Sequence, residues 1–217
     1  MKMNLALKEI AEAVEGTIEA TGPPATGVST DTRALKPGDL FFALFGEGAK
    51  PGNAGDGHRF VPDAAQRGAA GAVLSQTVTD LPAHFGLVRV PDTLAALGKL
   101  AAAWRQRMPA RIAAVTGSVG KTSTKGMLGS ILAAAAPSVV AERSYNNEIG
   151  VPLTLLQLAR QHAYCALEFA MRGPGEIGYL TRLARPEVGI ITNIGASHAG
   201  RRGSREATAR AKGELLP

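Results

Sequence analysis

Residues 111–136 constrain the fold more than any other stretch. "RIAAVT" is a short apolar run with β-branched side chains, the composition of a buried parallel strand. "GSVG" follows it. "KTSTKGMLGSILAAAA" then reads as a helix with Met127, Leu128, Ile131 and Leu132 on one side. Strand, glycine-rich turn and helix together form a phosphate cradle, because the free backbone N–H groups of a helix N-terminus point at an anion. Gly117 and Gly120 let the backbone approach a ligand closely. Lys121 is placed to reach β- and γ-phosphates, and the Thr122 hydroxyl to ligate Mg²⁺. The strict phosphate-loop pattern has a glycine five positions before Gly120, where this chain has Val115. A bare G-x-x-G-K-T also fits an ordinary helix start. The strand before it and the helix after it favour a nucleotide's phosphates.

Strand and helix alternate through the rest of this half. "SVVA", "AYCALEF" and "EVGIITN" read as strands. "VPLTLLQLAR", with Pro152 near its start, "GEIGYLTRLA" and "SREATARAKGELL", with Ser204 as N-cap, read as helices. The expected architecture is an open parallel α/β sheet. Upstream, "LALKEIAEAVEG" places Leu7, Ile10, Ala11 and Val14 at helical spacing and stops at Gly16. "DLFFAL" and "FGLVRV" read as strands, and "FVPDAAQRGAAGAVL" as a short helix and then a strand at 72–74. "DTLAALGKLAAAWRQRM" is a long helix capped by Asp92. "GEGAKPGNAGDG" is a loop. "PAR" at 109–111 marks the expected domain boundary, giving domains 1–108 and 109–217.

Charge separates the two halves. Residues 1–108 hold 11 Lys/Arg and 11 Asp/Glu, whereas 109–217 hold 13 and 7, so the net charge of +6 belongs to the half with the phosphate loop. That suits polyanionic ligands. Nucleic acid fits poorly, because the basic residues are not interleaved with aromatic stacking groups. The N-terminal segment has no signal-peptide core, and no run is long and apolar enough to span a bilayer. The single Cys165 excludes an internal disulfide and fits a reducing cytoplasm. Inside "AYCALEF" it reads as a buried core thiol.

Ligands of open parallel sheets sit beyond the carboxyl ends of the strands. Glu168 ends "YCALE", where a carboxylate is otherwise costly. Asn193 ends "GIITN", His198 lies in the loop after it, and "ERSYNNEIG" follows a further strand. The topology therefore gathers Lys121, Thr122, Asn146, Asn147, Glu168 and His198 at one rim. Oxygen and nitrogen ligands beside a triphosphate suit a divalent cation held partly by substrate phosphates. Lys212, in "ARAKGELL", reads from its residues alone as a solvent-facing helix lysine.

These motifs resemble the Mur ligases, which build the peptide of the bacterial cell-wall precursor. "STDTRALKPGDLFFAL" and "DGHRFVPDAAQRGAAGAVL" match the family's UDP-substrate domain. "TGSVGKTSTK" matches its phosphate loop, with Ser118-Val119 where most members have Thr-Asn. "NNEIGVPLTLLQL", "GPGEIGYLTRLARPEVGIITNI" and "GSREATARAKGELL" most resemble the member that adds D-alanyl-D-alanine to UDP-N-acetylmuramoyl-tripeptide. "AKPGNAG" lengthens a loop that is shorter in many relatives, and "SHAGRRGS" departs from the commoner sequence around His198.

The resemblance implies an ATP- and Mg²⁺-dependent amide ligase working through an acyl phosphate, cytoplasmic and monomeric when full length. Gly117, Ser118, Val119, Gly120, Lys121, Thr122 and Ser123, with Asn146 and Asn147, would bind ATP. Thr122, Glu168, His198 and Lys212 would hold metal. Lys121, Lys212 and His198 would serve catalysis, Lys212 as a carbamate, which reverses its solvent-facing reading. Ser29, Thr30, Thr32 and Arg33 would contact the UDP-substrate. The resemblance also implies that the central domain is truncated and a C-terminal domain absent. The rival readings are a ligase adding the third amino acid, a phosphate-loop module without ligase activity, and a structural protein with a vestigial loop.

Overall fold

The structure, a computed structural model, describes residues 3–46, 48, 50–142, 145–195 and 204–216. The chain divides into two compact units, one running to Ala103 and the other from Trp104. The division falls inside a helix, upstream of the Pro109 expected from sequence. The Trp104 indole N–H donates to the Leu158 carbonyl at 3.0 Å and the Arg105 guanidinium to the Ala184 carbonyl at 3.1 Å. Those bonds tie the last turn of that helix into the second unit.

The first unit contains α1 (Leu7–Val14), β1 (Thr17–Ala20), β2 (Gly27–Ser29), β3 (Asp39–Phe42), α2 (Val61–Gln66), β4 (Gly71–Leu74), β5 (Gly86–Arg89) and most of α3 (Thr93–Gln106). Helical spacing buries Leu7, Ile10, Ala11 and Val14 on one face of α1, as expected. The left-handed residue that ends α1 is Glu15 (φ 55°), one position before the expected Gly16. Gly16 is needed for space instead, since a Cβ there would meet the Val88 side chain and the Arg89 carbonyl within 2.8 Å. Asp92 caps α3 by accepting from the N–H groups of Leu94 and Ala95.

The sheet order is β1-β5-β4-β3-β2, parallel throughout except for β1, which runs antiparallel to β5. The central strands β3 and β4 bury Phe41, Phe42, Ala72 and Val73 almost completely. Phe41 and Leu74 join Val61 and Ala64 of α2, and Phe85, in the core. The sequence reading lacked β1 and β2. β1 is an edge strand with mostly exposed side chains, and β2 has three residues of which one is buried, so neither carries an apolar run.

The second unit contains β6 (Arg111–Thr116), α4 (Lys121–Ala135), β7 (Ser138–Val140), α5 (Gly150–Leu155), β8 (Tyr164–Glu168), α6 (Glu176–Ala184), β9 (Val188–Ile191) and α7 (Arg205–Gly213). All of its pairings are parallel, in the order β7-β8-β6-β9. One expectation for α4 is reversed. Met127 and Ile131 are 63% and 68% exposed, while Lys125 and Gly129 are buried. Gly129 lies so close to Val140 of β7 that a Cβ would meet its methyl groups at 2.8 Å. Close approach to the sheet thus selects the small-residue face; Met127 and Ile131 point away, while Leu128 and Leu132 stay half-buried.

Candidate active site

Register brings the strand ends level. Val115 of β6 pairs with Glu168 of β8, and Thr116 pairs with Ile191 of β9. The loop after β6, the last residue of β8 and Thr192-Asn193 after β9 therefore share one edge. Gly117 (φ 151°) and Gly120 (φ 80°) both adopt backbone conformations that side-chain-bearing residues avoid. α4 starts directly after them at Lys121.

Two ammonium groups converge on this loop. Lys121 Nζ donates to the Gly117 carbonyl at 3.0 Å, and Lys212 Nζ donates to the same oxygen at 2.9 Å. Lys212 is 5% exposed, which overturns its reading as a solvent-facing residue. It lies on the inward face of α7 beside Ala211, and that helix carries it to the loop. Two cations on one carbonyl raise the local positive potential where an anion would arrive.

Glu168 is 4% exposed. Its Oε2 accepts from the Thr122 hydroxyl at 2.9 Å, and its Oε1 accepts from the Asn146 amide at 3.0 Å. Lys125 Nζ lies 3.9 Å from Oε2 and donates to the Ala141 carbonyl at 2.6 Å. Lys125 is absent from the residues expected from sequence. Its signal was available, since Lys121 and Lys125 stand four apart and so share a helix face. Asn147 does a different job from Asn146: its side-chain oxygen accepts from the N–H groups of Ile149 and Gly150 at the start of α5. Ser118 and Val119 meet Thr192, Asn193 and Gly195, while Val119 itself is 60% exposed. His198 lies outside the described residues.

Among the described residues, no three His, Cys, Asp or Glu side chains gather into a metal cage. One carboxylate beside one hydroxyl matches a cation that keeps waters and borrows substrate phosphates, the usual habit of Mg²⁺. Cys165 is fully buried, and burial pushes its thiol up to about 12, so it stays protonated as core. A cavity of about 210 Å³ opens after the end of β8, lined by Glu148, Pro174, Glu176, Tyr179 and Leu180 among others.

In the first unit, Ser29 ends β2 and its hydroxyl donates to the Asp31 carbonyl at 2.9 Å. Arg33 grips the Asp31 carboxylate from exposed positions and holds it below its ordinary range. Thr32 is buried and bonds Asp63. Thr30 is half-buried between them. A second polar group stands at the ends of β3 and β4, and sequence reasoning missed it. Asp56 Oδ1 lies 2.7 Å from His58 Nδ1, and His58 Nε2 accepts from the Ser75 N–H at 2.9 Å. Burial pushes the Asp56 carboxyl up, but hydrogen bonds from Gly52 N–H, His58 N–H and the His58 ring outweigh it and hold it below its ordinary range.

The Mur ligase middle domain matches residues 115–217, from the end of β6 through α7. UDP-N-acetylmuramoyl-tripeptide–D-alanyl-D-alanine ligase of Synechocystis sp. is 46% identical over 189 residues, covering 87% of this chain and 40% of that protein. The chain belongs to the Mur ligase family. Among solved Mur ligases, MurF from Acinetobacter baumannii superposes with a TM-score of 0.87 at 33% identity, covering 99% of this chain and 46% of that one. MurF from Thermotoga maritima, solved in complex with ADP, has a TM-score of 0.75 at 27% identity over 88% of this chain and 42% of its own. This Mur ligase chain thus spans less than half the length of the relatives it matches. No helix among its described residues is long and apolar enough to cross a membrane.

Proposed function

We propose that this chain is the nucleotide-binding part of an ATP-dependent ligase that joins D-alanyl-D-alanine to UDP-N-acetylmuramoyl-tripeptide. The observation that carries the reading is the buried Glu168 carboxylate, held by Thr122 and Asn146 at the mouth of a glycine loop with two lysines on it. The names of the relatives support the substrate pair, and the ADP complex of the Thermotoga protein supports the nucleotide.

Backbone amides at the start of α4, with Lys121, would hold the phosphates, and Thr122 and Glu168 would hold Mg²⁺. The metal, when bound, supplies charge neutralisation between phosphates. Ser29, Thr30, Thr32 and Arg33 of the first unit would receive the UDP portion. The peptide carboxylate takes the γ-phosphoryl group of ATP, giving an acyl phosphate and ADP. The dipeptide amine then attacks the carbonyl carbon, phosphate leaves, and an amide remains. Lys121 offsets the charge that grows on the transferring group. Lys212 would lose one proton to become a neutral amine and a second as its Nζ bonds the carbon of CO₂, leaving an anionic carbamate. The carbamate nitrogen would keep one N–H, enough to retain the bond to Gly117, and its oxygens would add hard ligands for a divalent cation.

The test is to incubate the protein containing this chain with ATP, Mg²⁺ and either UDP-linked tripeptide plus D-alanyl-D-alanine or UDP-linked dipeptide plus a panel of single amino acids. The UDP-linked pentapeptide, detected by mass spectrometry with equimolar ADP, is the expected product. Extension by a single amino acid on the dipeptide precursor, or ATP hydrolysis without peptide product, would contradict the reading.

A further inference from the structure

The backbone amides of the phosphate loop fall into two sets. The Ser118 N–H donates to both the carbonyl and the side-chain oxygen of Asn193, each at 3.1 Å. The Val119 N–H donates to the same side-chain oxygen at 3.0 Å. Both partners are donors, so the carboxamide must present its oxygen to them. Thr192 completes the clasp, its hydroxyl donating to the Val119 carbonyl at 2.6 Å, and the Gly195 N–H donates to the Ser118 hydroxyl at 3.0 Å. By contrast, no acceptor among the described residues takes the amides of Gly120, Lys121, Thr122 or Ser123. The first amide after them is that of Thr124, which donates to the Gly120 carbonyl.

We propose that Asn193 is a positioning residue that fixes the shape of the phosphate loop by taking the Ser118 and Val119 amides for itself, so that bound phosphate is left to the amides from Gly120 onward. A glycine loop has more conformational freedom than any other and must lose it when it wraps an anion. A carboxamide anchored at the end of β9 removes that freedom before the ligand arrives, which is preorganisation in its ordinary sense. Asn193 reaches the loop because β9 lies next to β6 with Thr116 opposite Ile191, two residues before it. Thr192 adds a second constraint: a Cβ on Gly117 would collide with its hydroxyl, so residue 117 must be glycine for the clasp to close.

The inference rests on the nucleotide reading above, but its first arm needs no nucleotide. Amide hydrogen exchange is read by NMR on the labelled chain, alone and with ADP and Mg²⁺, for the wild type and for Asn193→Ala and Asn193→Asp. In the nucleotide-free wild type, Ser118 and Val119 should be protected relative to Gly120–Ser123. ADP should slow Gly120–Ser123 and leave Ser118 and Val119 nearly unchanged. Asn193→Ala should lower Val119 protection about tenfold, lower Ser118 protection less because the main-chain carbonyl of residue 193 still accepts from it, and weaken ADP binding about tenfold, the worth of losing a hydrogen bond or two. Amides of β6 and the thermal midpoint should hold. Asn193→Asp, which keeps the accepting oxygen, should restore the protection. Fast exchange at Ser118 and Val119 in the nucleotide-free wild type, protection there only once ADP is added, or wild-type ADP affinity in Asn193→Ala would overturn the proposal. Protected Ser118 and Val119 with no amide responding to ADP would instead overturn the nucleotide reading and leave the clasp standing.

Discussion

In the first unit, the buried Asp56 carboxylate and His58 ring lie 2.7 Å apart, and each also accepts from nearby backbone amides. In the second, the buried Lys125 and Lys212 ammonium groups donate to backbone carbonyls, and Glu168 accepts from a hydroxyl and a carboxamide. Both arrangements keep buried polar atoms satisfied, as burial demands. They differ in what a ligand would change. The first set pairs acid with base over a two-residue spacing, so it works as a brace for the ends of β3 and β4. The second set brings cations to a loop of open amides and puts a carboxylate beside a hydroxyl, so an added anion and an added cation would each find partners waiting. The charge balance of 11 against 11 in residues 1–108, and of 13 against 7 beyond them, follows the same division.

If that contrast holds, substitutions in the two units should fail in different ways. The largest effect expected is on stability. Phe41→Ala removes a fully buried ring from the core shared by β3, α2 and Phe85, and should cost about 3–5 kcal/mol in denaturant unfolding. Lys121→Ala should leave the unfolding midpoint near wild type. It should lower turnover of the ligase containing this chain by about 100-fold or more, roughly 3 kcal/mol of transition-state stabilisation. Equal loss of stability in both variants would erase the distinction between brace and site. Next comes His58→Ala, which strips partners from the Asp56 carboxylate and the Ser75 amide and should cost about 1–3 kcal/mol. An unchanged midpoint would show that the group braces nothing.

The smallest effect is on acid sensitivity. Asp56 has a carboxyl held below its unfolded value, so its contribution is complete above the unfolded value of about 4 and fades as pH falls through the folded one. Thermal midpoints taken downward from pH 5 should drop more steeply in the wild type than in Asp56→Asn. Parallel curves would remove Asp56 from the account.

The helices, the central strands and the carboxyl-end rim were legible in the sequence because burial on both faces writes itself as unbroken apolar runs, as in "DLFFAL" and "RIAAVT". β1 and β2 were not, since short, largely exposed strands leave no such run. Glu168 stood out as a charge closing an apolar strand. Lys212 did not stand out on physical grounds: α7 is mostly polar, and only its packing shows that Lys212 faces inward. Lys125 was legible only from its four-residue spacing to Lys121, and Met127 and Ile131 drew attention to the other side of α4. The role of Asn193 depends on which atoms its carboxamide meets, and spacing along a chain does not encode that.

The edge formed by the ends of β6, β8 and β9 is, on this reading, a nucleotide–metal site. Crystals grown with ADP and Mn²⁺, a cation that shares the oxygen-rich octahedral habit of Mg²⁺, test it most directly. Phosphate density should lie against the amides of Gly120–Ser123, with an anomalous peak within about 2–2.5 Å of the Thr122 hydroxyl or the Glu168 carboxylate, or one water further out. Nucleotide bound away from this edge, or manganese with neither Thr122 nor Glu168 in its surroundings, would contradict it.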